Sequence, residues 1–230
     1  MKTYSAGMLK TFTECPQKFS LIFNEHLEIP NDNTFAEIGK QIHSLIYYKL
    51  SNLDIEKMSG SLDNPENAEL KRLWENFVGF NIKDVFVSEY TFNVLLNPQT
   101  RLTGRVDAIR KDNLTIEILD WKTGSSKNID VENDMQTIVY LYCIYRLFKE
   151  KGDIKSCENL SMTYYFLKEK TSKTVRFSVE KYKKFEQILN NLTKKIENSN
   201  FENPYPSTDC EKCSFRPVCK GAYEGLNNVL

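Results

Sequence analysis

The chain has 230 residues, of which 40% are hydrophobic and 27% are charged, an ordinary composition for a globular protein. Its length is sufficient for one large domain with a sizeable core. Lysine and arginine together number 31, as do aspartate and glutamate together. This balance excludes a histone-like protein that coats nucleic acid through bulk charge, so any contact with nucleic acid would come from local basic patches.

No membrane-targeting signal is visible in the sequence. The first residues, Met1 to Ser5, lack the apolar core of a signal peptide, and no apolar run approaches the roughly 20 residues that span a bilayer. We therefore expect a cytoplasmic protein with no membrane partner. In a reducing compartment, clustered cysteines are expected to bind metal rather than to form disulfides.

Periodicity and composition predict an alternation of helices and strands. Apolar residues at helical spacing predict helices over 5–24 (interrupted at Cys15-Pro16), 34–51 and 66–80, with a loop over 52–64. Stretches rich in β-branched and aromatic residues predict three successive antiparallel strands over 85–96, 101–110 and 114–122. The remaining elements are a helix over 132–151, strands near 160–168 and 173–178, a helix over 179–199 and an irregular tail over 203–221.

Two aspartates and a lysine fall on adjacent predicted strands. Asp120 and Lys122 are two residues apart and so project from one face of a strand, while antiparallel pairing would place Asp107 beside Asp120. Two neighbouring carboxylates repel each other unless a cation lies between them, and Mg²⁺ or Mn²⁺ accepts such oxygen ligands. A site of this kind suits phosphodiester hydrolysis. The alternative, that these are solvated strand ends, does not require the apolar run that precedes Asp120.

Three segments in this region match a family pattern: Gly104-Arg105-Val106-Asp107, Ile118-Leu119-Asp120-Trp121-Lys122-Thr123-Gly124, and Gln136-Thr137-Ile138-Val139-Tyr140. The sequence thereby resembles the RecB-like branch of the PD-(D/E)XK nuclease superfamily. The resemblance implies an α/β fold of the restriction-endonuclease type, with a mixed sheet flanked by helices. It also implies that Asp107 and Asp120 bind metal, that Lys122 is catalytic, and that Gln136 and Tyr140 support the site or the DNA. From the residues alone, Gln136 and Tyr140 share a helix face and could simply pack that helix on the sheet.

Two further residues fit the same family. His43 follows Gly39 at the spacing of the family's metal-ligand histidine, whereas His26 has no such context. Glu89 lies on the strand before Asp107, where the family often has an acidic residue near the active centre. For Glu89, a solvated position at a strand edge is the alternative.

The cysteines suggest a second metal centre. Cys210 and Cys213 form a C-x₂-C pair, Cys219 follows closely, and Cys15 could supply the fourth thiolate. Four thiolates can hold either Zn²⁺ or an iron–sulfur cluster. The resemblance to AddB-like and CRISPR-associated RecB-like exonucleases implies a 4Fe–4S cluster that staples the N- and C-terminal regions. Cys143 is expected in the core, and Cys157 is expected to be a loop thiol.

These observations predict a single domain over 1–230, with a nuclease core at about 34–200 and a cluster-binding region formed by Cys15 and 203–221. The expected activity is exonucleolytic, on single-stranded DNA or DNA ends, in recombination and repair, phage DNA processing or CRISPR adaptation. No phosphate-loop motif is present, so ATP-driven unwinding would need a helicase partner; an integrase is another possible partner. Basic groups at Lys168–Lys173 and Lys181–Lys184 could neutralise phosphates. The alternatives are a non-catalytic cysteine–metal protein that binds nucleic acid, and a nuclease for RNA or specific sites.

Overall fold

A six-stranded mixed sheet lies at the centre of the computed structural model. The structure describes residues 1–29, 34–53, 62, 64, 67–113, 115–127, 129–201 and 210–219. The strands are β1 (Lys2–Ser5), β2 (Val85–Asn97), β3 (Thr100–Lys111), β4 (Ile116–Lys122), β5 (Leu160–Phe166) and β6 (Thr171–Arg176). Their order is β1-β3-β4-β5-β6, and β2 pairs with β3.

Strand β3 is paired differently along its two edges. Along one edge it pairs with β2 over nearly its whole length, in antiparallel fashion. Along the other edge, Thr100–Thr103 pair with β1 and Ala108–Lys111 pair with β4. Among the described strands, residues 104–107 of β3 therefore have no partner on that edge. Strand β4 continues alongside β5 as far as Lys122, so β3 and β4 diverge and leave a fork at Asp107.

Helices cover both faces of the sheet, and side-chain alternation along β4 separates the two sides. Leu119 and Trp121 pack with apolar residues of α3 (Thr34–Leu50) and α4 (Ala68–Gly79). Ile116 and Ile118 belong to the larger core, which contains residues of α1 (Ala6–Glu14), α5 (Met135–Glu150) and α6 (Val179–Glu197). Asp120 and Lys122 have the same parity as Ile118 and so face α5.

Local signals in the sequence account for the helix ends. The Ser5 side chain caps α1 by accepting a hydrogen bond from the Met8 amide, and the helix ends at Glu14, just before Cys15-Pro16. The chain continues as α2 (Pro16–Phe19) and a π-helical turn (Ser20–Asn24). Asp134 and Ser178 cap α5 and α6 in the same way as Ser5 caps α1.

The structure confirms a mixed sheet flanked by helices, and the predicted elements agree with the observed ones to within a few residues. One element was not predicted: Lys2–Ser5 forms β1. Most of the predicted loop over 52–64 and parts of the tail over 203–221 lie outside the described residues. Within the described ranges, no helix has both the length and the apolar character needed to cross a membrane.

Candidate active site

Asp107 lies at the fork between β3 and β4 and bonds in two directions. Its Oδ2 accepts a hydrogen bond from the Trp121 amide at 2.8 Å, and its Oδ1 lies 3.3 Å from Nδ1 of His43. The side chain thus occupies the place that a backbone ladder would fill if β3 and β4 stayed paired. Both carboxylate oxygens are therefore engaged, and they hold Asp107 at the point where the two strands diverge.

His43 reaches the fork from α3. Its Nε2 lies 3.0 Å from the carbonyl oxygen of Trp121, and because a carbonyl can only accept, Nε2 carries the hydrogen. Nδ1 is therefore directed toward Asp107 and free to bind either a proton or a metal ion. Burial lowers the pKa of His43, but the hydrogen bond to Asp107 and the charges of Asp107 and Asp120 outweigh burial and raise it overall.

Glu89 joins His43 and Asp107 through an unusual backbone conformation. Its φ is 54°, in the left-handed region, although it lies within β2. Such a conformation costs a non-glycine residue on the order of 1–3 kcal/mol and is found most often at functional sites. The carboxylate pairs with the Arg105 guanidinium at 2.6 Å. Burial and the charge of Asp107 raise the pKa of Glu89 despite that guanidinium and His43.

His43, Glu89 and Asp107, which we call the donor cluster, offer one imidazole nitrogen and two carboxylate oxygens within 4.8 Å of one another. No other group of three or more potential ligands meets this condition in the described part of the chain. The side chains are 32%, 21% and 13% exposed, respectively, so an ion could reach them from solvent. The two carboxylate oxygens suit Mg²⁺ and Mn²⁺, and the imidazole nitrogen would be an additional ligand.

Asp120, Lys122 and Gln136 form a second set on the α5 face, which we call the lysine network. The Lys122 ammonium lies 2.7 Å from Asp120 Oδ1 and donates to Gln136 Oε1 at 2.6 Å, while the Gln136 amide donates to Asp120 Oδ2 at 2.5 Å. Asp120 is only 2% exposed. Burial and the charge of Asp107 raise its pKa to about 6, although Lys122 and His43 counteract them.

Tyr140 supports the fork rather than entering the two sets. Its hydroxyl donates to the carbonyl oxygen of Arg105 at 2.8 Å, and thereby satisfies a backbone group in the unpaired part of β3. The Tyr140 ring packs edge-on against Phe92. A Cβ at Gly104 would lie 2.5 Å from the Phe92 ring and 3.0 Å from the Tyr140 ring. Glycine is therefore needed at residue 104 for close packing.

A model of the PD-(D/E)XK nuclease superfamily matches residues 3–220, which is nearly the whole chain. The chain belongs to the PD-(D/E)XK nuclease superfamily. No curated protein sequence matches it. Among solved structures, a protein of Eubacterium rectale described as a "Putative exonuclease" superposes with a TM-score of 0.57 at 10% identity, covering 96% of this chain and 86% of that one. This likeness shows the fold alone. Another solved protein, SSO0001, has 14% identity and a TM-score of 0.43, with 94% and 95% of the two chains covered.

The expected residues of this superfamily member lie together. Asp120, Lys122 and Gln136 bond to one another, and Asp107 bonds to the Trp121 amide, between Asp120 and Lys122 in sequence. His43 and Glu89 adjoin Asp107. Asp120, expected beside His43 and Asp107 as a ligand, instead binds Lys122 and Gln136. Its Oδ1 is nevertheless buried without a directed hydrogen bond, as is Oε2 of Glu89, although each lies close to a cationic group. Two incompletely satisfied carboxylate oxygens at the fork are what a divalent ion would complete.

Sequence reasoning missed two contributors to the site. Asp134 caps α5 through the Gln136 amide and pairs with Lys10 at 3.1 Å, so it fixes the start of the helix that carries Gln136. The backbone of Trp121 holds both Asp107 and His43. Asp134 stands immediately before the predicted apolar stripe of α5 and could have been recognised as an N-cap. The role of the Trp121 backbone had no sequence signal.

A cavity of about 390 Å³ adjoins the lysine network. It is lined by residues of α1, β4, β5, α5 and the segment before α5: Ala6, Gly7, Lys10, Lys122, Ile129, Val131, Asp134, Gln136, Tyr140, Tyr164 and Phe166. The Lys122 ammonium lies 5.3 Å from the centre of the Tyr164 ring. The reactive end of Lys122 therefore stands between the carboxylates and this cavity.

The cysteine-bearing regions are only partly described. Cys210, Cys213 and Cys219 lie in successive turns joined by backbone hydrogen bonds, including Cys213 N to Cys210 O at 3.3 Å. No three cysteine sulfurs in the described ranges lie within 4.8 Å of one another. Cys143 is fully buried, as predicted. Cys157 lies in the turn Cys157–Asn159 between α5 and β5, as predicted for a loop thiol, but it is 2% exposed and belongs to the main core.

Proposed function

We propose that this chain is a Mg²⁺- or Mn²⁺-dependent deoxyribonuclease that acts as an exonuclease on single-stranded or end-accessible DNA. The observation that carries the proposal is the fork between β3 and β4. There Asp107 of the donor cluster bonds to the Trp121 amide, between Asp120 and Lys122 of the lysine network, and its charge raises the pKa of Asp120. Membership of the superfamily supports phosphodiester hydrolysis as the reaction class. The exonuclease described from Eubacterium rectale shares the fold.

In this proposal the donor cluster and Asp120 hold the divalent ion. The bound ion would polarise a phosphate oxygen and lower the pKa of the attacking water. Lys122, which is 34% exposed, is placed to neutralise negative charge that develops on the phosphate. Gln136 holds Lys122 and Asp120 in fixed positions because it bonds to both. Tyr140 supports the fork by donating to the carbonyl oxygen of Arg105.

The proposal is tested by incubating labelled linear single-stranded DNA, circular single-stranded DNA, duplex DNA and RNA with the protein and Mn²⁺ or Mg²⁺. We expect linear single-stranded DNA to be degraded, circular DNA to resist, and chelation to stop the reaction. Lys122→Ala should lower the rate by roughly 10²–10³-fold, as expected when one group that stabilises developing charge is removed. Lys195→Ala, on the exposed side of α6, is the matched control.

Two alternatives make different predictions in the same assay. A non-catalytic protein that binds nucleic acid would retain full DNA binding, cleave nothing with either ion, and be indifferent to Asp120→Ala. A nuclease for RNA would degrade RNA faster than DNA, and a site-specific nuclease would cut circular DNA. The first result would refute the proposed activity, and either of the other two would refute the proposed substrate.

We also propose that Cys15, Cys210, Cys213 and Cys219 hold a 4Fe–4S cluster, with Zn²⁺ as the alternative. Three of the thiols already lie in consecutive turns. Phe201, nine residues before Cys210, packs on Phe12 and Phe19, which flank Cys15 in sequence. Residue 201 therefore lies beside the segment that carries Cys15. Anaerobically purified protein should be brown and contain iron, whereas colourless protein with stoichiometric zinc would refute the cluster.

We propose a single-domain cytoplasmic enzyme that acts on DNA ends in recombination and repair, phage DNA processing or CRISPR adaptation, with a helicase or an integrase as partner. Of the basic groups considered for DNA contact, Lys173 and Lys181 have structural partners instead. Lys173 donates to the carbonyl oxygens of Ser126 and Ile129, and Lys181 pairs with Glu132.

A further inference from the structure

The cavity beside Lys122 has an apolar interior and a charged mouth. Val131, Tyr164 and Phe166 are buried and line its interior. Gly7, Lys10 and Ile129 are exposed and stand at its opening. Ile129 is one of the few large hydrophobic residues with more than a third of its surface exposed, at 37%. An apolar chamber of about 390 Å³ that opens beside a cation has the size and character of a small-ligand site.

The wall that precedes α5 is held in place by bonds from outside the cavity. The Lys173 ammonium donates to the carbonyl oxygens of Ser126 and Ile129 at 3.0 and 3.2 Å. Lys181 pairs with Glu132 at 2.6 Å, two residues before the Asp134 cap. These contacts anchor the segment that carries Ile129 and Val131. The cavity is therefore formed before any ligand enters, which reduces the entropic cost of binding.

Two lysines in the lining, Lys10 and Lys122, could contact an anionic ligand. Lys10 pairs with Asp134 at 3.1 Å, but its side chain is 53% exposed and can still be reached from solvent. Lys122 lies between the cavity and the carboxylates of the fork. A phosphate held at Lys122 would place its attached nucleoside beside the cavity, which Lys10 also lines.

We propose that this cavity binds the unstacked base adjacent to the scissile phosphate of single-stranded DNA. The inference rests on the proposed function and adds a reason for preferring a single strand, because a base can enter only when it is unpaired. Contacts with the apolar walls and the edge of Tyr164 would recognise a base without regard to its identity, as aromatic and apolar surfaces do in other single-strand sites. Lys10 would contact the backbone and contribute only to affinity.

Gly7 provides a way to close the cavity without disturbing the catalytic groups. A Cβ at residue 7 would meet only Ser5 Oγ, at 3.9 Å, so a side chain there has open space. Gly7 lies in the first turn of α1, where replacing glycine improves helix propensity. Gly7→Phe should therefore fill the cavity and leave the fold intact, while Gly7→Ala leaves the cavity open and serves as the control.

The experiment combines these variants with oligonucleotides that lack a single base. An abasic site is placed at successive positions of a linear single-stranded substrate, and kcat/KM is measured with Mn²⁺. For the native chain and Gly7→Ala, we expect one position beside the cleaved bond at which base removal slows cleavage roughly tenfold. Gly7→Phe should be slower by a similar factor on the intact substrate and insensitive to the abasic site at that position. Equal sensitivity in Gly7→Phe and Gly7→Ala would overturn the proposal.

A binding measurement separates this inference from the proposed activity. The same oligonucleotide carrying 2-aminopurine at the sensitive position, or at each position if no cleavage occurs, is titrated in the presence of a chelator. Fluorescence that changes with the native chain and Gly7→Ala but not with Gly7→Phe supports the base site even if no nucleic acid is cleaved. Fluorescence that responds alike to all three proteins overturns the base site even if cleavage is normal.

Two milder variants guard against loss of folding in Gly7→Phe. Ile129→Ser removes exposed apolar surface and should reduce the 2-aminopurine response, with an unchanged melting temperature. Lys10→Gln should weaken DNA binding and lower its salt dependence by about 0.7 in log–log slope, while the sensitivity to base removal persists. Lys195→Gln is the matched charge control. A response unchanged by Ile129→Ser would contradict the proposed orientation of the base.

Discussion

The donor cluster and the lysine network both border the fork at Asp107, but they differ in exposure and in the cation that each contacts. The donor cluster approaches from the α3 face, is partly exposed, and carries its acidic groups without a buried cation. The lysine network approaches from the α5 face and encloses Asp120, 2% exposed, between an ammonium and an amide. The donor cluster has only the exposed Arg105 guanidinium beside Glu89 and is open to a cation from solvent, whereas the lysine network already contains an ammonium group.

This difference follows from the divergence of β3 and β4. A continuous ladder would keep the two faces of the sheet apart, because side chains on alternate residues point to opposite sides. Where the ladder stops, His43 and Asp107 both bond to the backbone of Trp121. Trp121 lies between Asp120 and Lys122 of the lysine network, whose side chains point to the other face. The fork therefore joins a set suited to metal binding with a set suited to charge stabilisation.

Asp107→Asn tests whether the two sets depend on one another, and we expect it to have the largest effect. Asparagine keeps an oxygen for the Trp121 amide but loses the negative charge that both sets share. Cleavage should fall by roughly 10³-fold, the several kcal/mol that a metal contributes to charge stabilisation, and calorimetry should show much weaker Mn²⁺ binding. Normal Mn²⁺ affinity with lost activity would show that Asp107 serves the lysine network alone.

His43→Asn tests the donor cluster by itself. Loss of the imidazole should weaken Mn²⁺ binding by about 10- to 100-fold and leave the Lys122–Gln136 contact intact. In the native chain, Mn²⁺ binding should also weaken as the pH falls through the raised pKa of His43, since the proton and the ion compete for Nδ1. His26→Asn is the matched control, because asparagine tolerates the left-handed backbone at residue 26, where φ is 55°. Equal Mn²⁺ affinity in both variants would remove His43 from the site.

The two sets also differ in how well the sequence predicts them. Asp120 and Lys122 are two apart on a strand, and Gln136 and Tyr140 are four apart on a helix, so strand and helix periodicity alone place each pair on one face. The position of Glu89 depends on a left-handed residue inside a strand, which no propensity predicts. Strand β1 forms because β3 has a free edge at Thr100–Thr103. This pairing depends on tertiary structure and cannot be predicted from the four residues of β1. The burial of Cys157 was not predicted for the same reason, since it depends on packing at the start of β5.

Gly104→Ala tests the packing that holds the fork open. The added methyl group would press on the rings of Phe92 and Tyr140, and Phe92 is only 2% exposed, so its ring has little room to move. We expect a loss of about 1–3 kcal/mol in the free energy of unfolding, measured in urea, together with reduced activity. Gly124→Ala, where a Cβ meets nothing within 4 Å, should leave stability within about 0.5 kcal/mol. Equal stability of the two variants would mean that the Tyr140 contact is not required.

Asp120→Asn has the smallest expected effect on stability and separates stability from metal binding. Burial and Asp107 raise the pKa of Asp120 from 3.8 to about 6, so the folded chain holds its proton more tightly than the unfolded chain does. This contribution to stability is fully present below pH 3.8 and is lost as the pH rises through about 6. Metal-free native protein should therefore become less stable relative to Asp120→Asn across that range. At pH 7 the variant should be more stable by about 1 kcal/mol, less than the roughly 3 kcal/mol upper limit from the pKa shift, because an amide pairs less well with Lys122.

Saturating Mn²⁺ should reverse that order. The native chain gains stability by binding the ion in its folded state, whereas Asp120→Asn, with a weaker site, gains less. Thermal melting of both proteins at pH 4 and pH 7, with and without Mn²⁺, measures the whole effect. If Asp120→Asn is no more stable than the native chain without metal at pH 7, Lys122 already neutralises Asp120 completely. The lysine network would then be a closed ion pair, with the donor cluster alone left to hold the metal.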